Sequence, residues 1–388
     1  MSVDPFSLHS YTYDLPKELI AQYPIEPRDQ AKLLIVDRKS GRIEEGRVTD
    51  LVSFLEKGDA LIFNNTKVLH AALKGELEPH TDKKQDTSIA TKERSLTKAE
   101  EECEVDCFPH SVCKGNRTQP VSEGKKAGCC LLTRECSPTR WWALTKPAKL
   151  FSVGTKILFD GSIEAVVEES GKLGERLLSF STPITPELLQ KIGEVPLPPY
   201  IRRQADNVVD AKRYQTVYAT HFGSIAAPTA GLHFTEELLS SLEKKGIHNH
   251  HVTLHVGTGT FLPIREKDIR DHAMHTERFE VREDVAKKIN QTPSRKIAVG
   301  TTSCRVLESI AGADGHIKAQ SGQTNLYITP GYEFKAVDAL FTNFHTPGSS
   351  LLVLMSAFMG YELMKEAYAK AIENRFRFFS YGDAMIIL

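Results

Sequence analysis

With 388 residues, 40% hydrophobic and 26% charged, and a formal net charge of −1, the chain has the composition of an ordinary soluble protein with room for two or more domains. No apolar run approaches membrane-spanning length, and the charge balance excludes a generally basic, non-specific nucleic-acid binder. The opening MSVDPFSLHSYTYDLP has neither a basic flank nor an apolar stretch, so no signal peptide is expected and the cytoplasm is the expected compartment.

In chain order, AKLLIVDR (31–38) reads as a strand. VTDLVSFLEKG (48–58) reads as a helix capped by Thr49 or Asp50 and stopped at Gly58, and ALIF (60–63) as a second strand. From Val68 the pattern changes to short strands only: VLHAALKGEL, CCLLTR, RWWALTK, TKILF, IEAVVEE and RLLSF. Turn chemistry at Lys146-Pro147 and Asp160-Gly161 fits the close spacing of a small β-barrel. A polar stretch at 79–127 interrupts this region and carries almost no apolar period, which predicts a mobile loop.

After Thr185 the pattern returns to mixed α/β. A helix (185–192) leads into the proline-extended PLPPYIRR (196–203). DAKRYQTVYA (210–219) reads as a helix. A further helix starts at Thr235 and ends at Gly246, with Glu236 and Glu237 in its first turn and Lys244 and Lys245 in its last. Val252, Leu254 and Val256 then alternate with Thr253 and His255, as on a strand. KIAVG (296–300) turns into the helix TTSCRVLESIA (301–311), TNLYIT (324–329) reads as a strand, and 349–360 and 361–375 as helices. This order predicts a large α/β domain, 1–67 plus 183–388, interrupted by a β-barrel at 68–182.

Residues 223–261, GSIAAPTAGLHFTEELLSSLEKKGIHNHHVTLHVGTGTF, hold the densest chemistry. Thr229, Gly231 and His233 precede a helix; Thr253 and His255 lie on a strand ending at Gly257 and Gly259. Polar groups at element ends beside glycines are how binding sites are built. Both histidines are expected to face one crevice, although the spacing fits hydrogen-bonded structural histidines equally well. Thr301, Thr302 and Ser303 cluster at a helix start, where free amides attract a carboxylate or phosphate, or simply serve as a cap. There is no G-x-G-x-x-G and no Walker A sequence, so a dinucleotide fold is not expected.

Six of the seven cysteines fall between Cys103 and Cys136. Cys103, Cys107 and Cys113, with His110 among them and Cys129 and Cys130 later, match no standard zinc spacing; free thiols are expected. HAMHTE (His272, His275, Glu277) and HNHH (248–251) match no standard metal motif either, so no metal is expected. Asn343 and His345 fall on a loop after the strand DALFT, and Tyr381 and Asp383 on a tight turn. Arg202, Arg203, Lys212 and Arg213, then Arg375 and Arg377, interleave with Tyr200, Tyr214, Phe376 and Phe378. That mixture suits a single-stranded RNA loop as well as an ordinary solvated face.

YDLPKELIAQYPIEPRDQAKLL, GDALIFNNTKV, PLPPYI, YQTVYA, AAPTAGLHFT, VTLHVGTGTF, MHTE, VGTTS-x-R-x-LES, PGYEFKAVDAL-x-TNFHTP, SAFMGY and RFFSYGDAM occur in this order. Together they resemble the S-adenosylmethionine:tRNA ribosyltransferase-isomerase family of bacterial queuosine biosynthesis, nearly end to end apart from the polar insertion. The resemblance implies a large α/β domain with an inserted β-barrel, a monomer, and no metal or cofactor, S-adenosylmethionine being consumed as ribosyl donor. It implies transfer and isomerisation of that ribosyl group onto 7-aminomethyl-7-deazaguanine at the wobble position of tRNAs with a GUN anticodon. Epoxyqueuosine forms, and adenine and methionine leave.

Under this resemblance His233 or His255 is the expected base beside the sulfonium, and Asp383 a further catalytic group. Thr301, Thr302 and Ser303 are expected to hold the methionine carboxylate or a tRNA phosphate. Tyr381, Asp383, His345 and Asn343 are placed around the ribose or base, and Glu277 at the substrate amine or sulfonium. Thr229, Gly231, Thr253, Gly257 and Gly259 complete the expected substrate site, and Arg202, Arg203, Lys212, Arg213, Arg375 and Arg377 the tRNA contacts. The chain departs from its relatives in the long insertion, in Cys129 where glutamate is usual, and in Lys67, Thr258 and Arg278. Two other readings stay open on sequence: a tRNA-binding protein without chemistry, and a metal-dependent hydrolase using the histidine clusters.

Overall fold

Short apolar runs buried on both faces, separated by capped helices, give an α/β sheet. The computed structural model describes residues 4–78, 126–171, 174–203 and 206–388. It forms two compact units, Met1–Val68 with Val208–Leu388, and Leu69–Asn207.

The first unit is built on a nine-stranded sheet. Its members are β1 (Lys32–Val36), β2 (Ile43–Arg47), β3 (Ala60–Asn64), β12 (His248–His255), β13 (Glu277–Val281), β14 (Lys296–Val299), β15 (Gln320–Thr324), β16 (Ala339–Asn343) and β17 (Ala384–Ile387). Their order across the sheet is β15-β13-β12-β3-β14-β16-β17-β1-β2. Strands β3, β12, β14 and β16 run parallel; β13 and β17 are antiparallel to β12 and β16, and β1 is parallel to β17. Every residue of β3, β16 and β17 is buried, as expected for strands covered on both faces.

One face packs Leu33, Ile35, Leu61, Phe63, Ile297, Val299, Phe341 and Ile386 against Leu51 of helix α1 (Leu51–Phe54) and Leu238 and Leu242 of helix α4 (Glu236–Lys245). Helix α4 starts and stops where the sequence predicts. The Thr235 hydroxyl accepts from the Leu238 amide at 3.1 Å, and Gly246 adopts a left-handed φ of 87° at the C-terminus.

Three elements differ from expectation. The helix read over 48–58 is a 3-10 turn, Val48–Asp50, followed by the single turn of α1. The Glu56 amide turns to the Asp59 carboxylate at 2.8 Å, which ends it. The helix read over 210–219 is α3, Asn207–Arg213. Beyond it the Gln215 side chain bonds both backbone groups of Val68, at 3.0 and 2.9 Å, and the chain turns instead of continuing the helix. The strand read over 324–329 is β15, which ends at Thr324; there the Leu326 carbonyl accepts from Arg305 at 3.0 Å instead of joining a ladder.

The second unit is a closed barrel of six antiparallel strands in the order β10-β7-β6-β5-β8-β9. These are β5 (Ala72–Leu77), β6 (Lys126–Ser137), β7 (Arg140–Lys146), β8 (Lys156–Phe159), β9 (Ile163–Ser170) and β10 (Glu175–Phe180). Alternation puts Trp141 and Ala143 of β7, Ile157 and Phe159 of β8, and Ala165 and Val167 of β9 inside. The unit continues past residue 182 through α2 (Pro186–Ile192) because Ala72 and Glu194 exchange backbone hydrogen bonds of 3.2 and 2.9 Å. Lys126 and Ala127, read as loop, begin β6; the rest of that polar stretch, with Cys103, Cys107, His110 and Cys113, lies outside the described residues. Cys129 is half-buried on β6, and Cys130 is buried.

Candidate active site

The strand directions bring one set of polar residues to one edge. The carboxyl ends of β3, β12, β14 and β16 lie side by side, and β13, β17 and β1 begin at the same edge. In open α/β sheets the loops beyond the carboxyl ends carry the ligand. Here they carry Asn64 and Asn65, Thr253 to Gly259, Thr301 to Ser303, and Asn343 to His345. The starts of β13 and β17 add Glu277, Tyr381 and Asp383. Thr229, Gly231 and His233 join through the 3-10 turn Thr229–His233, which packs on β16.

His233 is buried. Asn343 Nδ2 lies 3.2 Å from His233 Nε2 and donates to the Phe379 carbonyl at 3.0 Å. With Asn343 as donor, His233 Nε2 accepts, so the imidazole is neutral. Burial pushes its pKa down to about 3, helped by the charges of Arg377 and Arg28. Gly231 makes the turn possible, because a Cβ there would collide with the Tyr218 hydroxyl and sit 2.8 Å from the Thr216 methyl. His345 is equally buried, with Nε2 3.1 Å from the Thr342 hydroxyl and its amide donating to the Tyr368 hydroxyl at 3.0 Å. Burial takes its pKa to about 3 as well.

His255 is different. Its ring is half-buried, and Nδ1 lies 2.8 Å from the Thr66 hydroxyl at the start of β4 (Thr66–Val68), which pairs with β11 (His221–Ser224). Gly223 of β11 lies under the ring at φ 147°; a Cβ there would come within 2.7 Å of Nδ1. Burial lowers the His255 pKa, and His221 and Arg278 add to the shift. Arg278 faces His255 across the β12–β13 ladder. His255 ends β12 and Asn343 ends β16, with β3 and β14 between them, so three strand spacings, about 14 Å, separate their backbones. The two histidines therefore share an edge, each with its own partners.

Glu277 is buried and internally matched. Its Oε1 accepts from the Gly257 amide at 3.0 Å, and its Oε2 pairs with Arg305 Nη1. Thr253 donates to Asn65 Oδ1 at 2.7 Å, and Gly259 packs on the His275 ring. Asp383 accepts from the Lys32 amide at 3.1 Å, the Arg377 amide at 2.7 Å and Arg377 Nη2 at 3.3 Å, tying β1 to the turn before β17. The Tyr381 hydroxyl donates to Asp210 at 3.3 Å. Ser303 donates to the Val299 carbonyl at 2.9 Å, while Thr302 Oγ1, Asn343 Oδ1 and Arg305 Nη2 are buried without a partner among the described residues. A pocket opens beside His233, lined by Pro24, Ile25, Arg28, Arg213, Leu232, His233, Ser380, Tyr381 and Gly382.

The basic stretches differ in exposure and pairing. Lys212 and Arg375 are exposed, whereas Arg213 bonds Glu26 and the Ile25 carbonyl, and Arg377 bonds Asp383. Arg202 and Arg203 belong to the barrel unit. Tyr214, Phe376 and Phe378 have no exposed surface, so they are core rather than stacking faces. Sequence reasoning missed Thr66, Arg305 and Arg28. Arg305 had a signal, lying one helical turn past Thr301 in VGTTS-x-R; Arg28 and Thr66 had none. Among the described residues, no group of three or more His, Cys, Asp or Glu side chains is placed to hold a metal ion. No described helix is long and apolar enough to cross a membrane.

Comparison with known proteins agrees on one family. Residues 8–387 match the family described as queuosine biosynthesis protein. A protein of Lachnoclostridium phytofermentans named S-adenosylmethionine:tRNA ribosyltransferase-isomerase is 44% identical over 383 residues, covering 97% of this chain and 96% of its own. One of the same name from Acetivibrio thermocellus is 42% identical over 382 residues, covering 97% and 98%. The crystal structure of a Thermotoga maritima S-adenosylmethionine tRNA ribosyltransferase is 30% identical, covers 98% of this chain and all of its own, and superposes with a TM-score of 0.48. A match across nearly the whole length makes this chain a member of the queuosine biosynthesis protein family.

Proposed function

We propose that the chain transfers and isomerises the ribosyl group of S-adenosylmethionine onto 7-aminomethyl-7-deazaguanine at the wobble position of tRNAs with a GUN anticodon. The product is epoxyqueuosine, with adenine and methionine released. It acts as a cytoplasmic monomer without metal or cofactor. The observation that carries this reading is the convergence of Thr253 to Gly259, Thr301 to Ser303, Asn343 to His345 and Tyr381 to Asp383 on one sheet edge with His233 and His255.

The sulfonium acidifies the ribose C5′ protons, and a positioned imidazole removes one. His255 suits this step. Its ring is half-buried, one nitrogen is fixed by Thr66, and its neutral form persists at neutral pH. His233 suits it poorly, because a group with a pKa near 3 is a weak base and its Nε2 lone pair already accepts from Asn343. His233 and Asn343 serve better as neutral hydrogen-bonding groups for the ribose or base. Ring opening expels adenine, which takes up a proton; the deazaguanine amine then attacks, and epoxide closure expels methionine. Glu277 and Arg305 hold the Gly257 loop, and Asp383 holds the turn that carries Tyr381. Thr302, at the start of the helix following β14, is the natural contact for the methionine carboxylate. Reactive intermediates require water to be kept out, which the buried side of this edge supports.

The test is incubation with S-adenosylmethionine and an anticodon stem-loop carrying the aminomethyl-deazaguanine. Free adenine and a heavier RNA are expected together. RNA binding without either product would overturn the reading.

A further inference from the structure

The pocket beside His233 has two arginines in its lining. Pro24, Ile25 and Leu232 wall it with apolar surface, and Arg28 and Arg213 reach into the lining. Arg213 is matched by Glu26. Arg28 is half-buried, and the hydrogen bond described for its guanidinium goes to the neutral Gln215 carbonyl at 3.1 Å. A guanidinium offers five N–H donors, so this one retains capacity for an anion, and among the described residues no carboxylate pairs with it. Tyr23 precedes Pro24 in the chain and is 63% exposed, unusually high for an aromatic residue. Its carbonyl accepts from Arg377 at 3.4 Å, which fixes that corner to the Arg377–Asp383 turn.

The two substrates of the proposed reaction differ in sign. S-adenosylmethionine carries a sulfonium and an ammonium against one carboxylate, so its net charge is positive. An RNA nucleotide carries a phosphate and a flat base. A guanidinium in a pocket whose wall continues in the chain into an exposed ring offers the pairing that single-stranded nucleic acid uses, with phosphate on the cation and base on the aromatic face. We infer that Arg28 and Tyr23 form a nucleotide subsite at the mouth of the His233 pocket, with Arg28 binding an RNA phosphate and Tyr23 stacking a neighbouring unpaired base. This inference rests on the tRNA reading proposed above and assigns that substrate, rather than S-adenosylmethionine, to the pocket. It also supplies the stacking surface that Tyr214, Phe376 and Phe378, all buried, do not.

The experiment measures anisotropy of a fluorescein-labelled anticodon stem-loop against the full chain, with Tyr23→Ala, Arg28→Ala and Arg28→Lys. Tyr23→Ala should weaken stem-loop binding roughly tenfold through lost stacking and leave binding of a fully paired duplex of equal length unchanged. Arg28→Ala should weaken it by a similar factor and lower the slope of log affinity against log salt by about 0.7, the value for one single-strand phosphate contact. Arg28→Lys should keep the salt slope. The KM for S-adenosylmethionine at saturating RNA should stay near the wild-type value in Tyr23→Ala. A rise in that KM with unchanged RNA affinity would give the pocket to the methionine carboxylate and overturn the inference. So would wild-type RNA affinity in Tyr23→Ala, which decides the matter even if Arg28→Ala fails to fold. If the wild-type chain releases no adenine, the proposed reaction falls, while the stem-loop measurements still judge the subsite on their own.

Discussion

The two edges of the central sheet both bury polar groups, and they differ in how completely those groups are matched. At the amino edge Asp59, with no exposed surface, is a buried charge met by charge. Arg295 approaches its two oxygens at 3.2 and 2.6 Å, and the Glu56 amide, the Arg295 amide and the Ser294 hydroxyl bond at 2.8, 3.1 and 2.8 Å. Burial raises the Asp59 pKa, but these bonds outweigh it and hold the carboxyl below its usual range. At the carboxyl edge Glu277 and Asp383 are also matched by arginines, but they sit among buried neutral imidazoles, and Asn343 Oδ1 and Thr302 Oγ1 have no partner among the described residues. Orphan atoms are not confined there, since Thr292 Oγ1 and Asn249 Oδ1 also lack partners. What marks the carboxyl edge is the convergence of unmatched atoms with histidines at the ends of several strands. A saturated cluster holds a fold together; an unsaturated one has capacity left for a ligand.

The sharpest way to break this comparison is to remove His255. His255→Ala should lower the rate of adenine release by about 10²–10⁴-fold, the range for losing a general base, with little change in the denaturation midpoint. His255→Gln should be as inactive, because a glutamine amide can approach Thr66 but does not take up a proton. Near-normal turnover in either variant would remove the proposed base.

The amino edge should respond in the reverse sense. Asp59→Ala leaves Arg295 unmatched and should cost roughly 3–5 kcal/mol in urea unfolding, the range for breaking a buried pair. Adenine release per folded molecule should stay near wild type, because Asp59 lies at the far ends of the strands that carry His255 and Asn343. A fall in turnover that exceeds the unfolded fraction would erase the division between the two edges.

The neutral histidines supply the next test, through stability against pH. His233 and His345 titrate near 3 in the folded chain and near 6.5 unfolded. Between these values the unfolded chain binds the extra protons, so stability rises with pH across that window. The contribution is complete above about 6.5 and is lost as pH falls towards 3. At pH 5 each histidine should cost roughly 2 kcal/mol relative to pH 7.5. In His233→Asn the pH dependence of urea unfolding should be shallower by about one proton; an unchanged slope would mean His233 charges freely in the fold.

Much of this division was legible in the sequence. Alternation found the strands and caps found the helices, because Thr235 and Gly246 act locally. The motif order also brought Thr229, His233, His255 and Asn343 together on the page, and topology brings them to one edge. Roles were less legible, because they depend on partners distant in the chain. Asp383 and Glu277 carry the right chemistry for catalysis, yet their oxygens are taken by Lys32 and Arg377 and by Gly257 and Arg305. The aromatic interleaving of Tyr214, Phe376 and Phe378 looked like an RNA surface because periodicity does not reveal which side of a turn is buried. Gln215 and Leu326 ended a helix and a strand early through side-chain bonds that no local propensity encodes.

The smallest expected effect probes the charge beside His255. Arg278 faces His255 across the ladder, and its charge disfavours the imidazolium. A base must be unprotonated to act, so activity should fall in acid through the His255 pKa of the free enzyme, below the ordinary imidazole value. Burial is the main cause of that depression and remains in Arg278→Gln. Removing the guanidinium should therefore move the acid limb of kcat/KM for adenine release upward only slightly, with the plateau rate retained. Because Arg278 is exposed, salt should already screen part of its influence, and the variant and wild-type profiles should draw together at high ionic strength. A limb that stays put at low salt would mean the titrating base is not His255, and would return attention to the sealed corner around His233.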